Sequence, residues 1–208
     1  METLRLQAHQ LKQVAEILNR GGVVAFPTDT VYGLAVRSDD PVAIQRMKDA
    51  KQRPESKPFP MMVGSLSQIE AVASLGEREI RLIRRWMPGA LTMIFNKKPE
   101  VSEVITNGFD TIGIRMPDDP WILELIKEMG CGLLVPSANL SGEPPASDSD
   151  EVLRQLDGRI DAVVLGRSGA QTASTIIDAR EQQIKVIRQG KIRLEEILES
   201  LDESEEKR

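Results

Sequence analysis

Val23-Val24-Ala25-Phe26-Pro27-Thr28-Asp29-Thr30-Val31-Tyr32-Gly33 passes from apolar to polar within one step. Four apolar residues stopped by a proline read as a short buried strand, and the Thr-Asp-Thr run beyond it reads as a loop. Upstream, Leu11, Val14, Ala15, Ile17 and Leu18 form one helical stripe over residues 8–20, and Gly21-Gly22 offers the left-handed residue that ends a helix. Downstream, Asp40-Pro41 joins a capping side chain to a proline at the first helical position, opening a helix that reaches Lys51. The alternation continues with strands near 60–63, 91–96, 111–115 and 133–135 and helices near 66–74, 77–86, 118–129 and 149–156. Three more strands, near 161–165, 174–178 and 184–188, come with no helix between them and are expected to pair antiparallel through short connections. Leu194, Ile197, Leu198 and Leu201 mark a last helix. The pattern predicts an α/β fold: a single domain with a twisted mixed parallel/antiparallel sheet flanked by helices and an open basic cleft.

Composition narrows the chemistry. The 208 residues are 40% hydrophobic and 28% charged, which suits one globular domain. The net charge of −5 is uneven: residues 194–208 carry seven acids and two bases, so residues 1–193 sum to zero and can still gather a local positive surface. One cysteine, Cys131, leaves no internal disulfide or cysteine zinc cluster, and one histidine, His9, leaves no histidine metal site or serine–histidine triad. No apolar run approaches the ~18 residues of a membrane span, and Met1 to Arg5 lack the pattern of a secretion signal, so a cytoplasmic protein without membrane contact is expected.

Four polar segments, 27–34, 51–58, 136–142 and 174–178, fall at the ends of expected elements. In α/β sheets ligands occupy the crevice beyond the carboxyl ends of strands, which is where these loops should lie. Lys51, Arg53, Lys57, Arg115 and Arg188, with short hydroxyl and amide donors, are the inventory for holding a polyphosphate. Each segment also has a plainer reading. Thr28, Asp29 and Thr30 suit a turn that bonds its own backbone, Lys51 and Arg53 suit a solvated helix end, and Ser137 and Asn139 suit a turn after a strand. Neither of the two commonest glycine-rich phosphate motifs occurs.

Taken together, the segments resemble the threonylcarbamoyl-AMP synthase family. The resemblance rests on Phe26-Pro27-Thr28-Asp29-Thr30-Val31-Tyr32-Gly33-Leu34, the Lys-x-Arg at Lys51/Arg53, the Ser-x-Asn at Ser137/Asn139, residues 111–117 and 174–178, and Val186-Ile187-Arg188-Gln189-Gly190. It runs from about residue 9 to residue 190. It implies a nucleotidyltransferase that converts L-threonine, bicarbonate and ATP to L-threonylcarbamoyl-AMP and pyrophosphate for the N6-threonylcarbamoyladenosine of transfer RNA. By the same resemblance Lys51, Arg53, Lys57, Thr111, Ser137, Asn139 and Arg188 are expected at the ATP, with Lys51 and Arg53 catalytic, and Thr30, Arg115 and Ser174 at the threonine. Some members carry a histidine where Met62 stands. Mg2+ is expected to arrive on the ATP phosphates rather than in a protein cage. The expected partner is the threonylcarbamoyl transferase complex that modifies tRNA, met transiently, with a possible weak tRNA contact. The expected organisation is a catalytic domain over residues 1–193 followed by a C-terminal helix and acidic tail over 194–208. Two alternatives stand beside this reading: a paralogous carbamoyl-adenylate-forming enzyme, and an RNA-binding module using Arg81, Arg84, Arg85, Lys97 and Lys98 on a concave surface.

Overall fold

The computed structural model describes residues 2–52, 58–169 and 172–205. Strand β1 (Leu4–Leu6) and a short 3-10 turn (Ala8–Gln10) lead into helix α1 (Leu11–Asn19), and Gly21 follows it at φ +76°, the left-handed stop expected there. Strand β2 (Val24–Phe26) is wholly buried, and after the polar loop the chain returns as β3 (Gly33–Arg37). Helix α2 (Pro41–Lys51) starts where expected: the Asp40 carboxylate accepts from the Val42 and Ala43 amides at 2.9 and 3.0 Å, satisfying two of the free N–H groups of the first turn. Next come β4 (Met61–Met62), α3 (Leu66–Val72), β5 (Ala73–Ser74), α4 (Glu77–Trp86), β6 (Leu91–Lys97), α5 (Glu103–Thr106) and β7 (Thr111–Arg115). Helix α6 (Pro120–Met129) repeats the Asp-Pro start, with Asp119 capping the Trp121 and Ile122 amides. Strand β8 (Leu133–Leu134), α7 (Ser149–Leu156), β9 (Ala162–Val164), β10 (Thr175–Asp178), β11 (Lys185–Arg188) and α8 (Leu194–Glu205) follow.

The strands form one mixed sheet in the order β1-β9-β2-β3-β8-β4-β7-β6-β10-β11, with β5 beside β6. Its last third corrects the expected pairing. β10 and β11 are antiparallel, but β9 lies at the far end between β1 and β2, parallel to both, and β10 instead runs parallel to β6. A connection of ten residues suffices to carry the chain across the sheet, so its shortness does not force the neighbours to pair.

Two apolar clusters flank the sheet. One buries Phe26, Leu18 and Ile126 between α1, α6 and the sheet, and the other holds Met47, Leu82, Met93 and Phe95. Ile197 and Leu201 of α8 belong to the second, and the Trp86 indole donates to the Ser200 hydroxyl at 3.0 Å, so the last helix is packed against α4. Each such fully buried side chain contributes roughly 1.5–3 kcal/mol of transfer free energy.

Candidate functional site

Side chains two residues apart share a face of a strand. In the register of the central strands, Met93 lies opposite Ile114 and Ile176 opposite Thr92, so Thr92 and Ile94 of β6, Gly113 and Arg115 of β7 and Ile176 of β10 line up on one side. The other side, with Met93, Phe95, Ile112, Ile114 and Ile177, is core. The first set, extended by Thr111 and Ser174 at the strand starts, forms the floor of a cavity of about 380 Å³. Its walls come from Thr28 and Thr30 to Gly33 of the loop after β2, Pro58 to Pro60, Val135 to Ser137, Pro145, Ile187 and Arg188. The site thus lies on a sheet face, not beyond the carboxyl ends of parallel strands, because the strands under it are mixed in direction.

Arg115 is the centre of this floor. It is 3% exposed and donates three bonds: Nε to the Gly89 carbonyl at 2.9 Å, Nη1 to Thr30 Oγ1 at 2.7 Å and Nη2 to Asp29 Oδ2 at 2.5 Å. A guanidinium carries five N–H donors, so one hydrogen on each Nη stays uncommitted by these bonds. Burial lowers the Arg115 pKa and raises that of Asp29, while the pair's mutual attraction opposes both shifts. The second Asp29 oxygen, Oδ1, is buried without a hydrogen-bond partner.

The loop that supplies Asp29 is self-bonded as a turn should be. Thr28 Oγ1 donates to the Val31 carbonyl at 2.8 Å, accepts from the Thr30 amide at 3.0 Å and lies 3.0 Å from Thr30 Oγ1. The turn expected of these residues is present, and it aims Thr30 and Asp29 at Arg115. Tyr32 is locked behind it by a 2.9 Å bond to the Val164 carbonyl, and burial pushes its phenol up.

Arg188 stands on the opposite rim, exposed, on the edge strand β11. Its Nε and Nη2 donate to the Ser174 carbonyl at 3.0 and 2.9 Å, and Nη2 also donates to Ser174 Oγ at 3.0 Å. Ser174 Oγ in turn shares a 2.8 Å bond with Thr92 Oγ1. Burial of part of the side chain and repulsion from Arg115 both lower the Arg188 pKa. Two guanidinium groups that feel each other across one hollow, only one of them beside a carboxylate, are suited to an anion.

Of the expected site residues, the structure gathers Thr30, Thr111, Arg115, Ser137, Ser174 and Arg188 around this cavity. Lys51 and Asn139 do not line it. Lys51 is 1% exposed and its ammonium donates to the carbonyls of Ser137 at 2.5 Å and Asn139 at 2.7 Å, while Asn139 Nδ2 donates to the carbonyls of Leu140 and Glu143. Arg53 and Lys57 lie outside the described residues. Among the described residues only Arg115 and Arg188 bring positive charge to the lining, with Phe59, Met62, Ile94 and Ile176 around them, so an openly basic cleft is not what the described walls form. Met62 does line the cavity. Asp29, expected only as a turn residue, and Thr92, not singled out from the sequence, both touch the site's polar groups; Thr92 was signalled by the period-two spacing of Thr92 and Ile94 within an apolar strand.

Among the described residues no group of His, Cys, Asp and Glu is arranged for a metal ion, no carboxylate lines the cavity, and no helix is long and apolar enough to cross a membrane.

The chain is 39% identical over 191 residues to a protein of Bacillus subtilis (strain 168) named threonylcarbamoyl-AMP synthase, covering 90% of this chain and 55% of that one. It therefore spans a little over half the length of that curated relative. The crystal structure of Pyrococcus abyssi Sua5 complexed with L-threonine superposes with a TM-score of 0.90 at 32% identity, covering 97% of this chain and 61% of the other. Escherichia coli YciO matches with a TM-score of 0.85 at 27% identity, covering 94% and 98%. The family model Sua5_yciO_yrdC, described as telomere recombination, matches residues 16–190, and with that span of agreement beneath the same mixed sheet the chain belongs to this family.

Proposed function

We propose that this chain is an L-threonylcarbamoyladenylate synthase, a nucleotidyltransferase that joins L-threonine, bicarbonate and ATP into L-threonylcarbamoyl-AMP with release of pyrophosphate. The observation that carries the reading is the convergence of Arg115 and Arg188 on one cavity where, among the described residues, the other polar side chains of the lining are hydroxyls. The likeness to the B. subtilis threonylcarbamoyl-AMP synthase and to P. abyssi Sua5 with L-threonine bound supports it.

The threonine amine adds to the carbon of bicarbonate with loss of water, or to carbon dioxide with loss of a proton, and either route gives a carbamate. A carbamate oxygen then attacks the α-phosphorus, the bond to the β-phosphate oxygen breaks, and pyrophosphate leaves with the electron pair. Such a transfer asks the protein to align the two reactants and to neutralise charge spread over oxygens. It needs no His or Cys nucleophile. The two uncommitted N–H groups of Arg115 suit the amino-acid carboxylate, with Thr30 and Ser174 beside it. Arg188, Thr111 and Ser137 suit the nucleotide, and Arg53 and Lys57 are assigned to its phosphates on the resemblance. Mg2+ belongs to the substrate in this reading, carried on the phosphates with most of its waters. The adenylate is then passed to the transferase complex that modifies tRNA.

The test is direct. Incubation with L-threonine, 13C-labelled bicarbonate and ATP should yield pyrophosphate and an adenylate whose mass carries the label. Absence of both products, with the protein folded, removes the proposal.

A further inference from the structure

A lysine ammonium is rarely sealed from solvent, because the desolvation cost must be met by hydrogen bonds and favourable charge. Lys51 meets part of that cost with backbone. Its ammonium sits at the C-terminal, negative end of α2 and gathers the carbonyls of Ser137 and Asn139. The return bond, from the Ser141 amide to the Lys51 carbonyl at 2.9 Å, ties the same segment to the same helix end. On its other side the segment is pinned to the Thr-rich loop: the Ala138 amide donates to the Tyr32 carbonyl at 2.7 Å and the Leu34 amide to the Pro136 carbonyl at 2.8 Å. Asn139 closes it internally through its amide bonds to Leu140 and Glu143.

We propose that Lys51 is a positioning residue, whose ammonium acts on the cavity by fixing the 137–141 segment and hence the Ser137 wall, rather than by touching the nucleotide. Asn139 works with it as the internal brace of that segment. The Lys-x-Arg and Ser-x-Asn pairs then divide their work: Lys51 and Asn139 build the wall, and Ser137 faces the ligand. The placement stands on the geometry alone; its consequence for turnover rests on the proposed synthase activity.

Lys51→Met keeps the length of the side chain and removes its charge and donors. In ligand-free protein, amide exchange at Ala138 and Ser141 should quicken tenfold or more, while β6 and β7 amides keep their protection. An unchanged rate at both amides, or an equal rise throughout the sheet, overturns the proposal whether or not the protein makes an adenylate. In turnover, the same variant should raise the ATP half-saturation while leaving that of L-threonine alone; equal rises in both count against it. Should Lys51→Met not fold, the unaltered protein decides: in nuclear magnetic resonance with 15N-labelled lysine and arginine, titration with ATP should move the Arg188 side-chain signal and leave the Lys51 ammonium signal in place. A Lys51 shift as large as that of Arg188 overturns the proposal.

Discussion

The two arginines of the cavity are held in opposite ways. Arg115 rises from a central strand, is nearly sealed, and is clamped by a carbonyl, a hydroxyl and a carboxylate. Arg188 hangs from the sheet edge, is exposed, and leans on a single neutral residue, Ser174. A clamped donor costs little reorganisation when a ligand arrives, which suits a group of fixed shape such as an amino-acid carboxylate. An edge donor can follow a longer, more variable ligand. The floor sets position and the rim adapts.

That contrast breaks most easily at the floor. Arg115→Ala removes a preorganised donor and is expected to lower kcat/KM for L-threonine about 10²–10³-fold; Arg115→Lys, which cannot reproduce the fork, should recover little of it. A lysine variant at full rate would mean that Arg115 is merely structural. At the rim, Arg188→Ala should cost about 10–100-fold, falling mainly on the ATP half-saturation, since an exposed cation in a wetter place is worth less. An equal loss on both substrates would erase the division of labour.

Asp29 sharpens the comparison through pH. Its carboxyl titrates above the ordinary aspartate range because burial outweighs the pull of Arg115. As pH falls through that raised value Asp29 takes a proton and its charge-assisted hold on Arg115 Nη2 weakens, so the guanidinium loses its aim and the L-threonine half-saturation should climb on the acid side. Asp29→Asn, neutral at every pH, should start from a half-saturation several-fold higher and show no such acid climb. An identical acid limb in variant and parent would assign the limb to another group. The smallest effect concerns the strand beneath the rim. Thr175 Oγ1 donates to the Ile192 carbonyl at 2.7 Å and accepts from the Gly190 and Ile192 amides at 3.0 and 3.1 Å. Thr175→Val should lower unfolding free energy by about 1–3 kcal/mol, read as a reduced denaturant midpoint that Thr175→Ser restores.

The sequence made the long apolar strands and the Asp-Pro helix starts plain, because local chemistry decides them. Strand β3 escaped because Gly33 closes a run of turn formers, and its pairing with β2 and β8 is a tertiary fact. β1 and β5 are too short to carry a period. In the site, Arg115, Thr30 and Ser174 were visible as donors in polar or strand-end positions. Lys51 looked like a surface cation at a helix end, and only the arrival of carbonyls 86 and 88 residues later in the chain makes it interior. The value of Asp29 likewise depends on a partner 86 residues away.

Gly190 shows what such crowding means for variation. A Cβ at this position would lie 2.3 Å from the Ala173 carbonyl oxygen and 2.4 Å from the Thr175 nitrogen, obstacles made of main chain that no rotamer change relieves. Its neighbours Gln189 and Lys191 are exposed. A saturation library across this turn should therefore show one blank column between two permissive ones, and the blank would lie just two residues past the adaptable arginine.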